Sequence, residues 1–223
     1  MIEVNLNKVL AQIEGAANLA GRNSKEISLV AISKGRSLGE IREAHFLGVC
    51  DFGENRIVEA LDKMELLPSD IRWHFIGKLQ QNKVHQVIGQ FVLIHSVDRI
   101  ELAEKISKAS LERGLKTSIL LETNTSGERT KGGLPAQEWE TSYKALLELK
   151  GIDIQGLMTM APLTEDEGVI RHCFSELRLC LQRLQAMGGQ ITTLSMGMTN
   201  DFPLAIQEGA TLVRIGTALF LPQ

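Results

Sequence analysis

Eight short, β-rich apolar runs recur along the chain, at 27–33 (ISLVAIS), 49–53 (VCDFG), 71–76 (IRWHFI), 91–95 (FVLIH), 118–123 (SILLET), 154–158 (IQGLM), 192–195 (TTLS) and 211–216 (TLVRIG). Several are apolar without alternation, the pattern of strands covered on both faces. Helical patterns lie between them. Over 98–113, Asp98 is expected as a cap with Glu101 three residues on, followed by Leu102, Ala103, Ile106 and Ala109 and closed by Gly114. Over 168–187, Ile170, Cys173, Leu177, Cys180, Leu181 and Leu184 share one stripe. Further helices are expected over 136–149 and, ahead of the first strand, over 4–21. Strand–helix alternation predicts a parallel sheet with right-handed crossovers. Eight such units in 223 residues fit the small end of the (β/α)8 range. The competing doubly wound sheet asks for a Gly-rich fingerprint after the first strand, and SKGRSLGE is not GxGxxG. The expected fold is α/β: a single-domain TIM barrel over 1–223 with an extra N-terminal helix.

Composition narrows the function. With 24 Lys and Arg against 27 Asp and Glu, the chain lacks the basic excess that displaces counterions from nucleic acid. No apolar run approaches the ~20 residues that cross a bilayer. The opening MIEVNLNKVLAQIEGAANLA is amphipathic, with Glu3, Asn5 and Glu14 inside it, unlike a signal peptide. A cytoplasmic protein without membrane or nucleic-acid partners is expected. Cys50, Cys173 and Cys180 have neither CxxC nor zinc-finger spacing, and no histidines pair as HExxH, so neither disulfide framework nor metal site is expected. Cys173 and Cys180 read as small core residues.

In a barrel of this kind, chemistry gathers where the strands end. The first strand ends on Lys34 and the second runs into Gly53, Glu54 and Asn55. The third contains His74 and precedes Gly77; the fourth ends on Ser96 and the fifth on Asn124. The sixth ends on Met158, with Met160 and Pro162 after it. The seventh ends in Ser195, Met196, Gly197 and Met198, and the eighth carries Arg214 ahead of Gly216 and Thr217. Hydroxyls and bare backbone N–H groups at the last two exits suit a phosphate, although glycines also serve plain turns. Lys34 has two readings. It either snorkels to water or points into the barrel mouth, where desolvation exposes a neutral amine able to form a Schiff base with a carbonyl. A phosphorylated aldehyde such as pyridoxal 5′-phosphate (PLP) answers both features.

These residues fall within motifs that resemble the YggS/PROSC family of PLP homeostasis proteins. They are VAISK at 30–34, FGEN at 52–55, WHFIGKLQQNK at 73–83, HSVD at 95–98, TKGG at 130–133, GLMTM at 156–160, SMGMTNDF at 195–202 and VRIGTALF at 213–220. The resemblance runs along nearly the whole chain. It implies the fold-type III PLP barrel of the alanine racemase N-terminal domain. It further implies PLP on Lys34, phosphate contacts from Ser195, Gly216 and Thr217 with Gly197 helping through its backbone, Arg214 at the pyridine nitrogen and Asn55 in the cofactor pocket. Each has a plainer reading: Asn55 as a helix cap, His74 as a satisfied core histidine rather than ring packing, and Met198 as a gap-filler. Lys131, in the loop TSGERTKGG, reads as a mobile surface charge and the second-choice lysine.

An arginine at the ring nitrogen disfavours its protonation and weakens the ring as an electron sink. The resemblance implies that racemases of this fold use a second, tyrosine base from an added domain. The one tyrosine here, Tyr143, belongs to the helical stretch 136–149, away from any strand exit. A monomeric PLP-binding protein that is not an enzyme, able to pass PLP to PLP-dependent apoenzymes, is therefore expected. The alternatives are a PLP-dependent amino-acid racemase with Lys34 as base and a cofactor-free Schiff-base aldolase.

Overall fold

The computed structural model describes residues 1–128 and 131–221; Thr130 of the TKGG motif and Gln223, the expected end of the domain, lie outside the described residues. The chain runs α1 (Ile2–Leu19), β1 (Ser28–Ile32), α2 (Leu38–Phe46), β2 (Asp51–Glu54), α3 (Ile57–Leu66), β3 (Arg72–Phe75), α4 (Val84–Val87), β4 (Leu93–Val97) and α5 (Ile100–Glu112). It continues through β5 (Thr117–Glu122), α6 (Ala136–Leu147), β6 (Ile152–Met158), α7 (Glu167–Ala186), β7 (Thr193–Ser195), α8 (Phe202–Gln207), β8 (Leu212–Ile215) and α9 (Thr217–Phe220). The eight strands pair in parallel, in sequence order, and β8 closes on β1 as a barrel. Each strand falls on one of the eight apolar runs.

Alternation along the strands sorts side chains into two cores. Ala31, Phe52, Trp73, Phe75, Ile94, Leu121 and Val213 face the helices and join the larger apolar cluster. Val30, Ile32, Leu93, Leu120, Met158 and Leu212 form a smaller cluster inside the barrel. This two-sided burial is why the runs read as continuously apolar.

The extra N-terminal helix buries Ile2, Leu6, Val9, Ile13, Ala16 and Ala17, a 3.6-period stripe. Asn5 sits within that buried stripe because its amide donates to the carbonyls of Leu219 (3.1 Å) and Leu221 (3.0 Å), satisfying the end of α9. On α7, Cys173 and Cys180 lie on the buried face, and burial pushes the Cys180 thiol up to about 12. One expected start is corrected. Asp98 does not cap α5: Arg99 holds the cap position, and its guanidinium takes both Asp98 carboxylate oxygens (2.8 and 3.1 Å). An arginine one residue away outcompetes the helix N–H groups for that carboxylate.

Candidate functional site

Lys34 lies two residues past Ile32, the last inward-facing residue of β1, and is exposed. Its neighbours are pinned on both sides. Ser33 Oγ donates to Glu54 Oε1 (2.6 Å), and the Ser33 carbonyl accepts from Lys63 Nζ (2.9 Å). Gly35 N donates to Glu59 (2.9 Å). Lys63, from α3, bridges the two carboxylates at 2.7 Å to Glu54 and 2.8 Å to Glu59. Glu54 is fully buried, and burial, outweighing Lys63 and Ser33, raises its pKa. A buried ion-pair network thus fixes the backbone that carries an exposed amine.

On the strand beside β1, Arg214 of β8 pairs in register with Val30 and is 5% exposed. Its Nη1 donates to Ser195 Oγ (2.6 Å) and the Ser195 carbonyl (2.9 Å), and its Nη2 to the Thr159 carbonyl (3.0 Å). All three partners are formally neutral. Two guanidinium N–H groups, on Nε and Nη2, have no acceptor among the described residues. Burial draws its pKa down to about 10, which leaves it charged at neutral pH. Glu122 ends β5 two residues past inward-facing Leu120 and is 8% exposed. Burial, with Asp98 adding repulsion, lifts its carboxyl to about 7 against the pull of Arg214 and Lys78. The glycines of the TKGG motif fit over it: a Cβ on Gly132 would lie 2.5 Å from Glu122 Oε1, and one on Gly133 would lie 2.6 Å from the Glu122 carbonyl.

The last two exits complete the rim. Gly197 has φ +93°, and a Cβ there would lie 2.6 Å from the Ala205 Cβ. Only glycine suits both the conformation and the space. The backbone N–H groups of Gly197, Gly216 and Thr217 have no acceptor among the described residues. Glycines there leave room for a ligand's oxygens to approach those donors.

A family model described as alanine racemase, N-terminal domain, matches residues 4–223. A relative in Aquifex aeolicus named pyridoxal phosphate homeostasis protein is 42% identical over 217 residues, 96% of this chain and 95% of its own length. The chain belongs to the pyridoxal phosphate homeostasis protein family. PipY of Synechococcus elongatus PCC7942, solved with PLP bound, superposes with a TM-score of 0.84 at 34% identity, covering 99% of this chain and all of PipY. Alanine racemase of Clostridium difficile 630, at 16% identity and a TM-score of 0.79, covers 98% of this chain and 56% of its own and shares the barrel fold.

The structure gathers Lys34, Gly197, Arg214, Gly216 and Thr217 at one end of the barrel. The Ser195 hydroxyl is hydrogen-bonded to Arg214 (2.6 Å) and to His95 Nδ1 (3.0 Å). Asn55 does not cap α3, whose cap position is Arg56; it is exposed and lines a cavity of about 620 Å³ with Phe75, Lys78 and Lys83. His74 does not sit at the rim. It is buried, bonded to His95 and to Asp51 on the opposite side. Met198 is exposed at the rim. Lys131 is no free surface charge, since its Nζ donates to the Ala161 carbonyl (2.9 Å). Of the two readings of Lys34, buried in the mouth or reaching water, the structure shows an exposed side chain. Tyr143 is buried in the helix-facing core, with its hydroxyl unpaired among the described residues. Sequence reading placed Glu54 at the second strand's exit without a partner, and missed Lys63, Glu59 and Glu122; Glu122 follows inward-facing Leu120 by two residues.

Proposed function

We propose that this chain is a non-catalytic carrier of PLP that serves vitamin B6 homeostasis inside the cytoplasm. It acts as a monomer, holds PLP covalently and reversibly through the Lys34 amine, and delivers it to PLP-dependent apoenzymes. The observation that carries this reading is Arg214: a buried guanidinium with two uncommitted donors at the mouth, on the strand beside the one that ends at the exposed Lys34. The relatives' name and the PLP seen in PipY support it.

The residues present fit the cofactor. Uncommitted N–H groups at Gly197, Gly216 and Thr217 provide donors for its phosphate, and Ser195 supports that rim from below through Arg214. Asn55 flanks the ring. When bound, PLP supplies an aldehyde that an amine can capture and a ring that in enzymes withdraws electrons. Here the charged Arg214 donates to the ring nitrogen and opposes its protonation, which weakens that withdrawal. The Ser33–Glu54–Lys63–Glu59–Gly35 network holds Lys34 in place. No tyrosine reaches the mouth to act as a second base, since Tyr143 is buried elsewhere.

The test is a titration with PLP followed by absorbance. Wild type should gain a band near the visible edge that Lys34→Ala lacks. Neither protein should interconvert L- and D-alanine. An unchanged band in Lys34→Ala contradicts the carrier site; steady turnover that depends on Lys34 replaces the carrier with the racemase.

A further inference from the structure

A buried hydrogen-bonded chain crosses the barrel interior from Arg214 to its far end. Arg214 Nη1 reaches Ser195 Oγ (2.6 Å), and Ser195 Oγ reaches His95 Nδ1 (3.0 Å). His95 Nε2 reaches His74 Nδ1 (2.9 Å), and His74 Nε2 reaches Asp51 Oδ1 (3.0 Å). Asp51 is chelated by Arg72 through Nε (2.7 Å) and Nη2. That end opens into a cavity of about 550 Å³ lined by residues of all eight strands, Ser28, Asp51, Arg72, His74 and Ser118 among them. It lies on the barrel axis, opposite the mouth.

Proton counting gives the chain one direction. Hydrogen bonds from Arg72 and His74 outweigh burial and hold Asp51 down at about 2, so it is a carboxylate and only accepts. His74 Nε2 must then carry the hydrogen. At the other end, Ser195 Oγ accepts from Arg214, and among the described residues the acceptor within reach of its hydroxyl proton is His95 Nδ1, so His95 carries its hydrogen on Nε2 and donates it to His74 Nδ1. His95 is fully buried, and burial first, then the nearby Arg214 charge, keeps it neutral. The opposite polarity would aim a His95 N–H and an Arg214 N–H at the same oxygen. It would also leave the buried Ser195 hydroxyl proton with no acceptor among the described residues.

We propose that His95 and His74, anchored by Asp51, are positioning residues whose fixed tautomers commit the Ser195 hydroxyl and aim Arg214 at the cofactor ring. The importance of Arg214 to PLP rests on the proposed function; the tautomers do not. Asp51 and Arg72 touch nothing at the mouth, yet they set its hydrogen-bond polarity through two imidazoles.

The tautomers are read in the cofactor-free protein by long-range 15N–1H NMR of the histidine rings at pH 7. Both His74 and His95 should carry hydrogen on Nε2 alone. A proton on Nδ1 of either ring overturns the proposal. PLP titration then compares His95→Phe with His95→Gln, whose carboxamide can replace one or both imidazole contacts. The phenylalanine variant should bind about tenfold more weakly or worse, with a shifted pH profile of the bound-cofactor band. The glutamine variant should recover most of that loss. A folded His95→Phe that binds like wild type overturns the positioning role; if it does not fold, the NMR result and a glutamine variant weakened as far as Lys34→Ala decide against it. Expected tautomers in a wild type that binds no PLP would refute the carrier function instead.

Discussion

Lys63→Met removes the ammonium that Glu54 faces at 2.7 Å while keeping an unbranched apolar stem. The Glu54 side chain is 0% exposed and that of Lys63 is 8% exposed, so water cannot replace the lost charge. Breaking a buried pair by deleting one partner costs about 3–5 kcal/mol. Glu54 has an escape, which is to take up a proton. Protonating a carboxyl of ordinary pKa 4.5 at pH 7 costs at most about 3 kcal/mol, at about 1.4 kcal/mol per pH unit, and at pH 5 less than about 1. Lost hydrogen bonds to Ser33 and Glu59 add about 1 kcal/mol. The sign follows from linkage. A carboxyl whose folded-state pKa lies above 4.5 loses stability as pH rises from 4.5 through the folded value. The destabilisation should therefore be about 2–4 kcal/mol at pH 7 and about 1–2 at pH 5. Urea unfolding of both proteins at pH 5, 7 and 8, followed by circular dichroism, measures it. A loss below about 1 kcal/mol at pH 7, or one equal at pH 5 and 8, would show that Glu54 is not held as described. The variant should also bind PLP more weakly, because Ser33 loses an anchor beside Lys34.

Two further substitutions probe the rim. Glu122→Gln should leave stability at pH 5 nearly unchanged and raise it at pH 8 by up to about 3 kcal/mol, because a carboxyl held at about 7 opposes folding above 4.5; equal effects at both pH values, by urea unfolding, would place that carboxyl in water. Gly197→Ala should cost about 2–4 kcal/mol through its φ of +93° and the 2.6 Å approach to Ala205, lowering Tm by several degrees. An unchanged Tm would mean the loop takes another conformation.

The barrel was legible because its strands are buried on both faces, and each apolar run marks one. The rim residues Lys34, Arg214, Gly197 and Gly216 were legible by position, as the polar or bare residues that interrupt those runs. Partners contributed by a neighbouring element were not. Lys63 meets Glu54 only because α3 folds back over β2, and nothing in the spacing of those residues distinguishes them from a solvated helix face. His74 and His95 looked like unrelated strand residues until β3 and β4 lay side by side with both rings inward. Asp98 had the spacing of a cap, but spacing does not rank the helix N–H groups against a guanidinium next door. For Lys34, the strand exit gave the position but not the exposure, which depends on how the following loop is tied.

The central claim is a covalent bond between PLP and one particular nitrogen. Borohydride reduction of the PLP-loaded protein, followed by proteolysis and mass spectrometry, reads it directly. The account predicts a pyridoxyl adduct on the peptide containing Lys34 and none in Lys34→Ala. An adduct confined to another lysine, Lys131 first among them, or an unlabelled protein that still shows the absorbance band, would contradict it.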